Sequence, residues 1–101
     1  MKIDTVHEDE KVYIKITGKI DTVSALDFQK EMEILIKYEV KPDIEIDCSD
    51  LEYVSSQGLR TFLLAQKEVN AKNGNLVLVN MKKEVKEVFD ITGFSNIIKI
   101  L

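Results

Sequence analysis

The sequence has few of the residues on which most catalytic and metal-binding sites depend. Its 101 residues include one cysteine, Cys48, one histidine, His7, and no tryptophan. One cysteine cannot form an internal disulfide, and one cysteine with one histidine cannot supply the usual ligands of a zinc site. A Ser-His-Asp arrangement has no G-x-S-x-G turn to present its serine. We therefore expect a protein that is not an enzyme and that binds no metal.

Motifs for bound nucleotide and nucleic acid are also missing. The chain contains neither a P-loop nor a G-x-G-x-x-G run, so we expect no cofactor. Its 14 basic and 18 acidic residues give a formal net charge of −4. Neutralising nucleic-acid phosphates requires a concentrated basic patch, and the densest basic stretch, 82–86, is interrupted by Glu84. The sequence therefore predicts no direct contact with nucleic acid.

Long hydrophobic runs are absent as well. No apolar stretch approaches the roughly 20 residues that a transmembrane helix needs, which predicts no membrane insertion. The start, MKIDTVHEDE, becomes acidic at once and lacks the apolar segment of a signal peptide. An unpaired cysteine is usual in a reducing compartment, so we expect a cytoplasmic protein. The length predicts a single domain over residues 1–101.

Alternating apolar residues predict most of the strands. In KVYIKIT, at 11–17, the side chains of Val12, Ile14 and Ile16 share one face, which is typical of a half-buried strand. The short polar turn before this strand predicts an antiparallel hairpin with the strand that precedes it. Strands are predicted at 3–7, 11–17, 43–48, 76–79 and 97–100.

Apolar residues at helical spacing predict three helices between these strands. The first begins at Ser24, which with Asp27 matches a capping box, and it ends before Pro42. The others span about 57–72 and 82–91. Strands that alternate with helices favour parallel pairing through right-handed crossovers, and polar-apolar alternation in the outer strands favours helices mainly on one face. We therefore predict an α/β fold with a single mixed sheet, an N-terminal antiparallel hairpin followed by parallel strands.

Polar side chains follow several of the predicted parallel strands. Ligand sites of open α/β sheets lie beyond the carboxyl ends of such strands. The loops predicted at that edge are 18–23, 49–56 and 80–82. This arrangement predicts that four residues meet at one edge of the molecule: Asp21, Asp50, Ser55 and Ser56.

The adjacent serines of SSQGL stand where the second helix begins. Serine before a helix is a common N-cap, and one serine is enough for that role. Gly58 lies in the first turn, where glycine weakens helix propensity, and we interpret it as leaving backbone and hydroxyl open to another molecule. A helix N-terminus would also tolerate a phosphoryl group on such a serine. The residues alone thus leave two interpretations, capping only or capping combined with modification.

The run IDCSDLEYVSSQGLR, at 46–60, resembles the signature of the STAS domain, a family named for sulfate transporters and anti-sigma-factor antagonists. GKID, at 18–21, is similar to the family's G-x-[LI]-D loop, and the order of strands and helices fits along essentially the whole chain. The resemblance implies a STAS-like fold and a bacterial anti-sigma-factor antagonist that regulates transcription.

In that family the unmodified protein binds an anti-sigma factor that is also a serine kinase, and the sigma factor is released. Phosphorylation of the serine two places before the glycine ends binding, and this partner switching makes the antagonist a phosphoprotein. The resemblance implies that the serine is Ser56, with Ser55 as a less favoured target, and that Asp21 is the family's aspartate beside the serine loop. A phosphatase is a further expected partner, and we expect a monomer or weak dimer.

Topology and resemblance together predict a partner-binding surface, which consists of Asp21, Asp50, Ser55, Ser56, Gln57, Gly58 and Arg60. Two positions depart from the family pattern: Ser55 stands where many antagonists have aspartate, and Gln57 where a small residue is commoner. An alternative function follows from other members of the family. The chain could serve as a scaffold or accessory subunit of a signalling assembly or membrane transport complex.

Overall fold

The computed structural model describes residues 1–101 and contains one five-stranded sheet with three α-helices. The strands are β1 Lys2–Glu8, β2 Lys11–Ile20, β3 Asp43–Val54, β4 Asn75–Val79 and β5 Lys99–Ile100. The helices are α1 Ser24–Lys37, α2 Ser56–Ala71 and α3 Lys83–Ile91, and a short 3₁₀ helix, Phe94–Asn96, precedes β5.

The strands lie in the order β1-β2-β3-β4-β5. β1 is antiparallel to β2, and each later pair of neighbours is parallel. The turn between β1 and β2 contains Asp9 with a φ of 58°, a left-handed conformation that aspartate tolerates better than most residues. The predicted mixed sheet with an N-terminal hairpin is therefore confirmed.

The hydrophobic core lies between one face of the sheet and the helices. The alternating apolar residues of β2 and β3 point into a cluster of 22 buried side chains. Phe62 of α2 packs edge-on against Phe28 of α1 and Phe89 of α3, with ring centroids 4.9 and 5.4 Å apart. The opposite face is polar: the Lys11 ammonium lies 3.5 Å from the Glu45 carboxylate there. The helices thus cover mainly one face, as predicted.

β3 is twice as long as predicted. Two bulges in its pairing with β2 break the alternation of apolar residues, so the sequence pattern stops before the strand does. Lys15 pairs with Asp47, but the next paired residue of β2, Thr17, pairs with Asp50, and a second shift follows Gly18. Each extra residue on β3 displaces the inward alternation, so the buried positions run Cys48, Leu51 and Val54. The predictions that β2 ends at 17, that β3 ends at 48 and that 49–56 is a loop were therefore wrong.

The last predicted strand is shorter than expected. Only Lys99–Ile100 pairs with β4, and the preceding residues form the 3₁₀ turn after Gly93, whose φ is 79°. Ile98 is buried although it lies outside the strand. The apolar run at 97–100 therefore looked like a strand in the sequence, although part of it is a turn whose Ile98 side chain packs into the core.

Lys72, just after α2, provides the end of α1 with hydrogen-bond partners. Its ammonium group donates to the carbonyl oxygens of Ile36, Lys37 and Glu39 at 2.7, 3.1 and 2.9 Å. The last carbonyls of a helix have no partner within the helix, and a cation there also interacts favourably with the helix dipole. This contact ties α1 to α2 at the edge opposite the serine pair.

We expect Lys72→Met to lower the free energy of unfolding by about 1–3 kcal/mol, because three carbonyls lose a charged donor. Urea denaturation would measure the change. Lys67→Met, at an exposed position of α2, is the matched control and should change stability by less than about 0.5 kcal/mol. Equal losses in the two variants would contradict a specific role for Lys72.

Candidate functional site

Ser55 connects β3 directly to α2 and is fixed on both sides. Its N–H donates to the Ile20 carbonyl oxygen at 2.8 Å, where β2 ends. Its hydroxyl oxygen accepts a hydrogen bond from the Gly58 N–H at 3.1 Å, so Ser55 is the N-cap of α2. Only 6% of the residue is exposed. The serine cap expected for this helix is therefore supplied by Ser55, whose hydroxyl is occupied inside the protein.

Ser56 is the first residue of α2 and, unlike Ser55, it is exposed. The N–H groups of Ser56 and Gln57 lie in the first turn, where no intrahelical acceptor is available. The positive end of the helix dipole lies at the same place. An accessible hydroxyl therefore stands beside backbone donors and a partial positive charge that favour an anion.

Gly58 is buried, and its role differs from the one inferred from the sequence. A Cβ atom at this position would lie 2.8 Å from Cγ2 of Ile20 and 3.0 Å from Cγ1 of Val54. Both neighbours are β-branched and stiff, so they cannot easily move aside. The glycine allows α2 to begin in close contact with the sheet. The interpretation that it opens the site to another molecule was wrong, since the exposed group is Ser56.

Asp21 organises the turn between β2 and α1 through Ser24. The Ser24 N–H and hydroxyl donate to the Asp21 carboxylate at 2.8 and 2.9 Å, and the Asp21 N–H donates to the Ser24 hydroxyl oxygen at 2.9 Å. This reciprocal pair resembles a capping box in which Asp21, not Ser24, supplies the cap. The prediction that Ser24 caps α1 together with Asp27 was wrong, because the capping pair lies three residues earlier.

The backbone N–H of Ser24 lowers the pKa of the Asp21 carboxyl, and the Ser24 hydroxyl adds to the effect. A carboxyl whose folded pKa is depressed stabilises the folded state above its unfolded pKa. That contribution is lost as the pH falls through the folded pKa. The hydrogen bonds between Asp21 and Ser24 therefore stabilise this turn at neutral pH, and their contribution falls under acidic conditions.

Asp50 does not lie at the serine edge, contrary to prediction. It stands within β3, opposite Thr17, about 13 Å before the end of the strand at about 3.3 Å per residue. Its carboxylate lies 3.2 Å from the Lys15 ammonium, on the polar face of the sheet. The side-chain hydrogen bond and charge of Asp50 raise the pKa of Lys15. The bulges of β3 keep Asp50 within the strand, whereas the sequence analysis expected a loop at 49–56.

The remaining predicted residues, Gln57 and Arg60, are exposed on α2. Arg60 follows Ser56 by four residues, so the two side chains lie on the same side of the helix one turn apart. We call the exposed group of Asp21, Ser56, Gln57 and Arg60 the serine face.

Sequence reasoning missed two apolar side chains next to the serine face. Val23, in the turn after Asp21, is 75% exposed, and Leu26, in the first turn of α1, is 60% exposed. Both fall outside the apolar stripe that α1 turns toward the core, so helical periodicity could have identified them as outward-facing. Exposed apolar side chains beside a polar site are typical of protein contact surfaces.

Neither His7 nor Cys48 is placed to assist a reaction at the serines. His7 pairs with Val12 near the beginning of β2, whereas Ser55 adjoins Ile20 at its end. Eight residues of strand separate these points by about 26 Å. Burial raises the pKa of the Cys48 thiol to about 12, so it stays protonated, unlike a reactive cysteine.

No group of three or more His, Cys, Asp or Glu side chains is arranged to hold a metal ion. None of the helices is both long and apolar enough to cross a membrane.

The mixed sheet, the serine-capped helix α2 and the aspartate turn before α1 are the features that the resemblance to the STAS domain led us to expect. Residues 2–101 match the sequence profile of the STAS domain. The chain belongs to the STAS domain family.

Among its curated relatives are proteins named anti-sigma-B factor antagonist. The one from Listeria monocytogenes is 34% identical over 99 residues, which cover 96% of this chain and 81% of the relative. The one from Bacillus subtilis is 31% identical over 100 residues, which cover 99% of this chain and 90% of the relative.

Solved structures share the fold. The anti-sigma factor antagonist SpoIIAA in its unphosphorylated form superposes with a TM-score of 0.77 at 19% identity, over 99% of this chain and 87% of that one. The phosphorylated form of Bacillus SpoIIAA gives a TM-score of 0.76 at 20% identity, over 99% and 91%. At this identity the likeness establishes the fold, and the STAS-like architecture expected from the sequence is confirmed.

Proposed function

We propose that this chain, as a single STAS-like domain over residues 1–101, is an anti-sigma-factor antagonist. Its unphosphorylated form binds an anti-sigma factor that is also a serine kinase and thereby releases a sigma factor in the cytoplasm. Phosphorylation of Ser56 ends the binding, and a phosphatase restores it. The names of the relatives support this function, and they favour it over a scaffold or accessory subunit of a transport complex.

The two serines are placed differently, and this difference is the main support for the proposal. Ser55 is 6% exposed and its hydroxyl caps α2, whereas Ser56 is exposed at the helix start. A kinase must reach the hydroxyl that it modifies. Modification of Ser55 would require the cap to open, while modification of Ser56 requires no rearrangement of the fold.

A phosphate on Ser56 is compatible with the folded domain. It would carry about −1.5 to −2 charges at neutral pH and meet the free N–H groups and the dipole of α2. Arg60, one turn further along the helix, offers a cation on the same side. The folded domain therefore accommodates the added charge, whereas the surface that a partner must contact becomes more negative.

The partner would contact the serine face together with Val23 and Leu26. Apolar side chains supply burial, and the surrounding polar groups supply specificity, which is the usual anatomy of a protein interface. Asp50 remains outside this surface because its carboxylate is paired with Lys15 on the sheet face. In this proposal the protein works by binding, and none of its side chains performs catalysis.

Mass spectrometry of the protein purified from its source cells tests the modified position. We expect the phosphate on Ser56, its loss in Ser56→Ala, and its retention in Ser55→Thr, which keeps a capping hydroxyl. Phosphate on residue 55 of the wild type, or undiminished phosphorylation of Ser56→Ala, would contradict the assignment.

A further inference from the structure

The two edges of the sheet differ in how they are protected. β5 presents only two residues, which is one way in which proteins keep an edge from pairing. β1, at the other edge, has seven residues, and all seven pair with β2 without a register shift. It contains no proline and no bulge, so its outer side offers a regular row of backbone groups for another strand.

Pairing with β2 determines which face each β1 side chain occupies. Directly opposite residues share a face, so those opposite buried Ile16, Ile14 and Val12 lie on the helix side. These helix-side residues are Ile3, Thr5 and His7. The residues on the polar face are Lys2, Asp4, Val6 and Glu8.

The charges of β1 are complementary to those of the same strand in a second copy. In an antiparallel pair centred on Thr5 all seven residues overlap, and Lys2 of each copy stands opposite Glu8 of the other. Shifting the centre to Asp4 places two aspartates opposite each other, and shifting it to Val6 places Asp4 opposite Glu8. Like charges directly opposite destabilise a sheet, and slips by one residue would mix the two faces.

We propose that the β1 edge is a self-association surface whose partner is a second copy of this chain. The strands pair antiparallel about a twofold axis at Thr5, and the two sheets become one sheet of ten strands. Of the registers that keep the faces matched, this one has full overlap and opposite charges at both ends. The charges of β1 thus select one register of the dimer and oppose its neighbours.

A groove beside β1 extends this surface on the helix side. It encloses about 370 Å³ and is lined by His7, Glu31, Ile34, Leu35, Tyr38 and Glu39. Ile34 and Tyr38 are 59% and 78% exposed, so both leave apolar surface open to solvent at this groove. In the proposed register the partner's Ile3 stands opposite His7, at the mouth of this groove. The second copy therefore adds apolar burial to strand pairing.

The dimer leaves the serine face free. Ser56 follows β3, two strands from the β1 edge, and the twofold axis reverses the direction of the partner's strands. The two serine faces therefore lie at opposite ends of the ten-stranded sheet along the strand direction, and the helices of both copies cover the same side of it. Self-association and modification of Ser56 are separate properties, and one can be tested without the other.

Charge exchange on β1 tests the proposal by sedimentation equilibrium of the full chain. The wild type should dimerise reversibly, with a Kd between about 10 µM and 1 mM. Glu8→Lys and Lys2→Glu should each weaken the dimer about 10-fold or more, because the twofold axis converts two attractive pairs into two repulsive ones. The double variant Lys2→Glu with Glu8→Lys should return to within about 3-fold of the wild type.

Controls make each outcome decisive. Glu10→Lys changes the charge equally but lies in the turn outside β1, so it should leave the Kd within about 3-fold of the wild type. Circular dichroism of each variant at low concentration checks that the monomer is folded. A wild type that stays monomeric at 1 mM would overturn the proposal. A dimer that neither single variant weakens, or that the double variant does not restore, would overturn it as well.

Discussion

Ser56→Asp should weaken binding to the anti-sigma factor about 150-fold, which corresponds to about 3 kcal/mol. The substitution places a permanent negative charge at the exposed start of α2. In the free protein water and the helix N-terminus solvate this charge, but a partner that covers it must remove the water. Titration calorimetry against the purified anti-sigma factor would measure the change. A phosphate, with about −1.5 to −2 charges, should have at least the same effect.

Two variants separate the effect of charge from that of side-chain size. Ser56→Asn has nearly the shape of aspartate without the charge, and it should bind within about 5-fold of the wild type. Ser56→Ala removes the modifiable hydroxyl and should bind comparably. If Ser56→Asp binds as tightly as the wild type, phosphorylation at this position cannot act as the switch that we propose.

Gly74→Ala should lower the free energy of unfolding by about 3 kcal/mol. A Cβ atom at Gly74 would overlap the carbonyl oxygen of Pro42, which is backbone and cannot rotate away. The same oxygen accepts a hydrogen bond from the Asn75 N–H at 2.8 Å, where β4 begins beside β3. The added methyl group must therefore push apart two segments that start neighbouring strands.

Gly93→Ala is the informative comparison for Gly74→Ala. Gly93 has a φ of 79° but open space around the added Cβ, so only backbone strain of about 1 kcal/mol is expected there. Gly74 has no positive φ, so its cost arises from crowding alone. Urea denaturation of both variants should show the larger loss for Gly74→Ala. A loss no greater than that of Gly93→Ala would contradict the close packing of the two loops.

Much of the fold was predictable because its determinants are local. Alternation placed Val12, Ile14 and Ile16 on the inner face of β2, and these residues are buried. Apolar residues at helical spacing predicted α1 and α2, and their core faces include the buried Phe28 and Phe62. A polar turn between two alternating segments was sufficient to predict the hairpin. These patterns depend only on the period of the element, which a single chain segment carries in its own sequence.

At the serine pair, the sequence by itself determined that a capped helix begins there and that one of its two serines is free of the capping role. Only the tertiary structure decided the rest. The register between β2 and β3 moved Asp50 into a strand and against Lys15, and the close approach of Ile20 and Val54 made Gly58 a packing residue. These features arise from contacts between segments distant in sequence, and no local period encodes how two strands meet or how near a helix lies to a sheet.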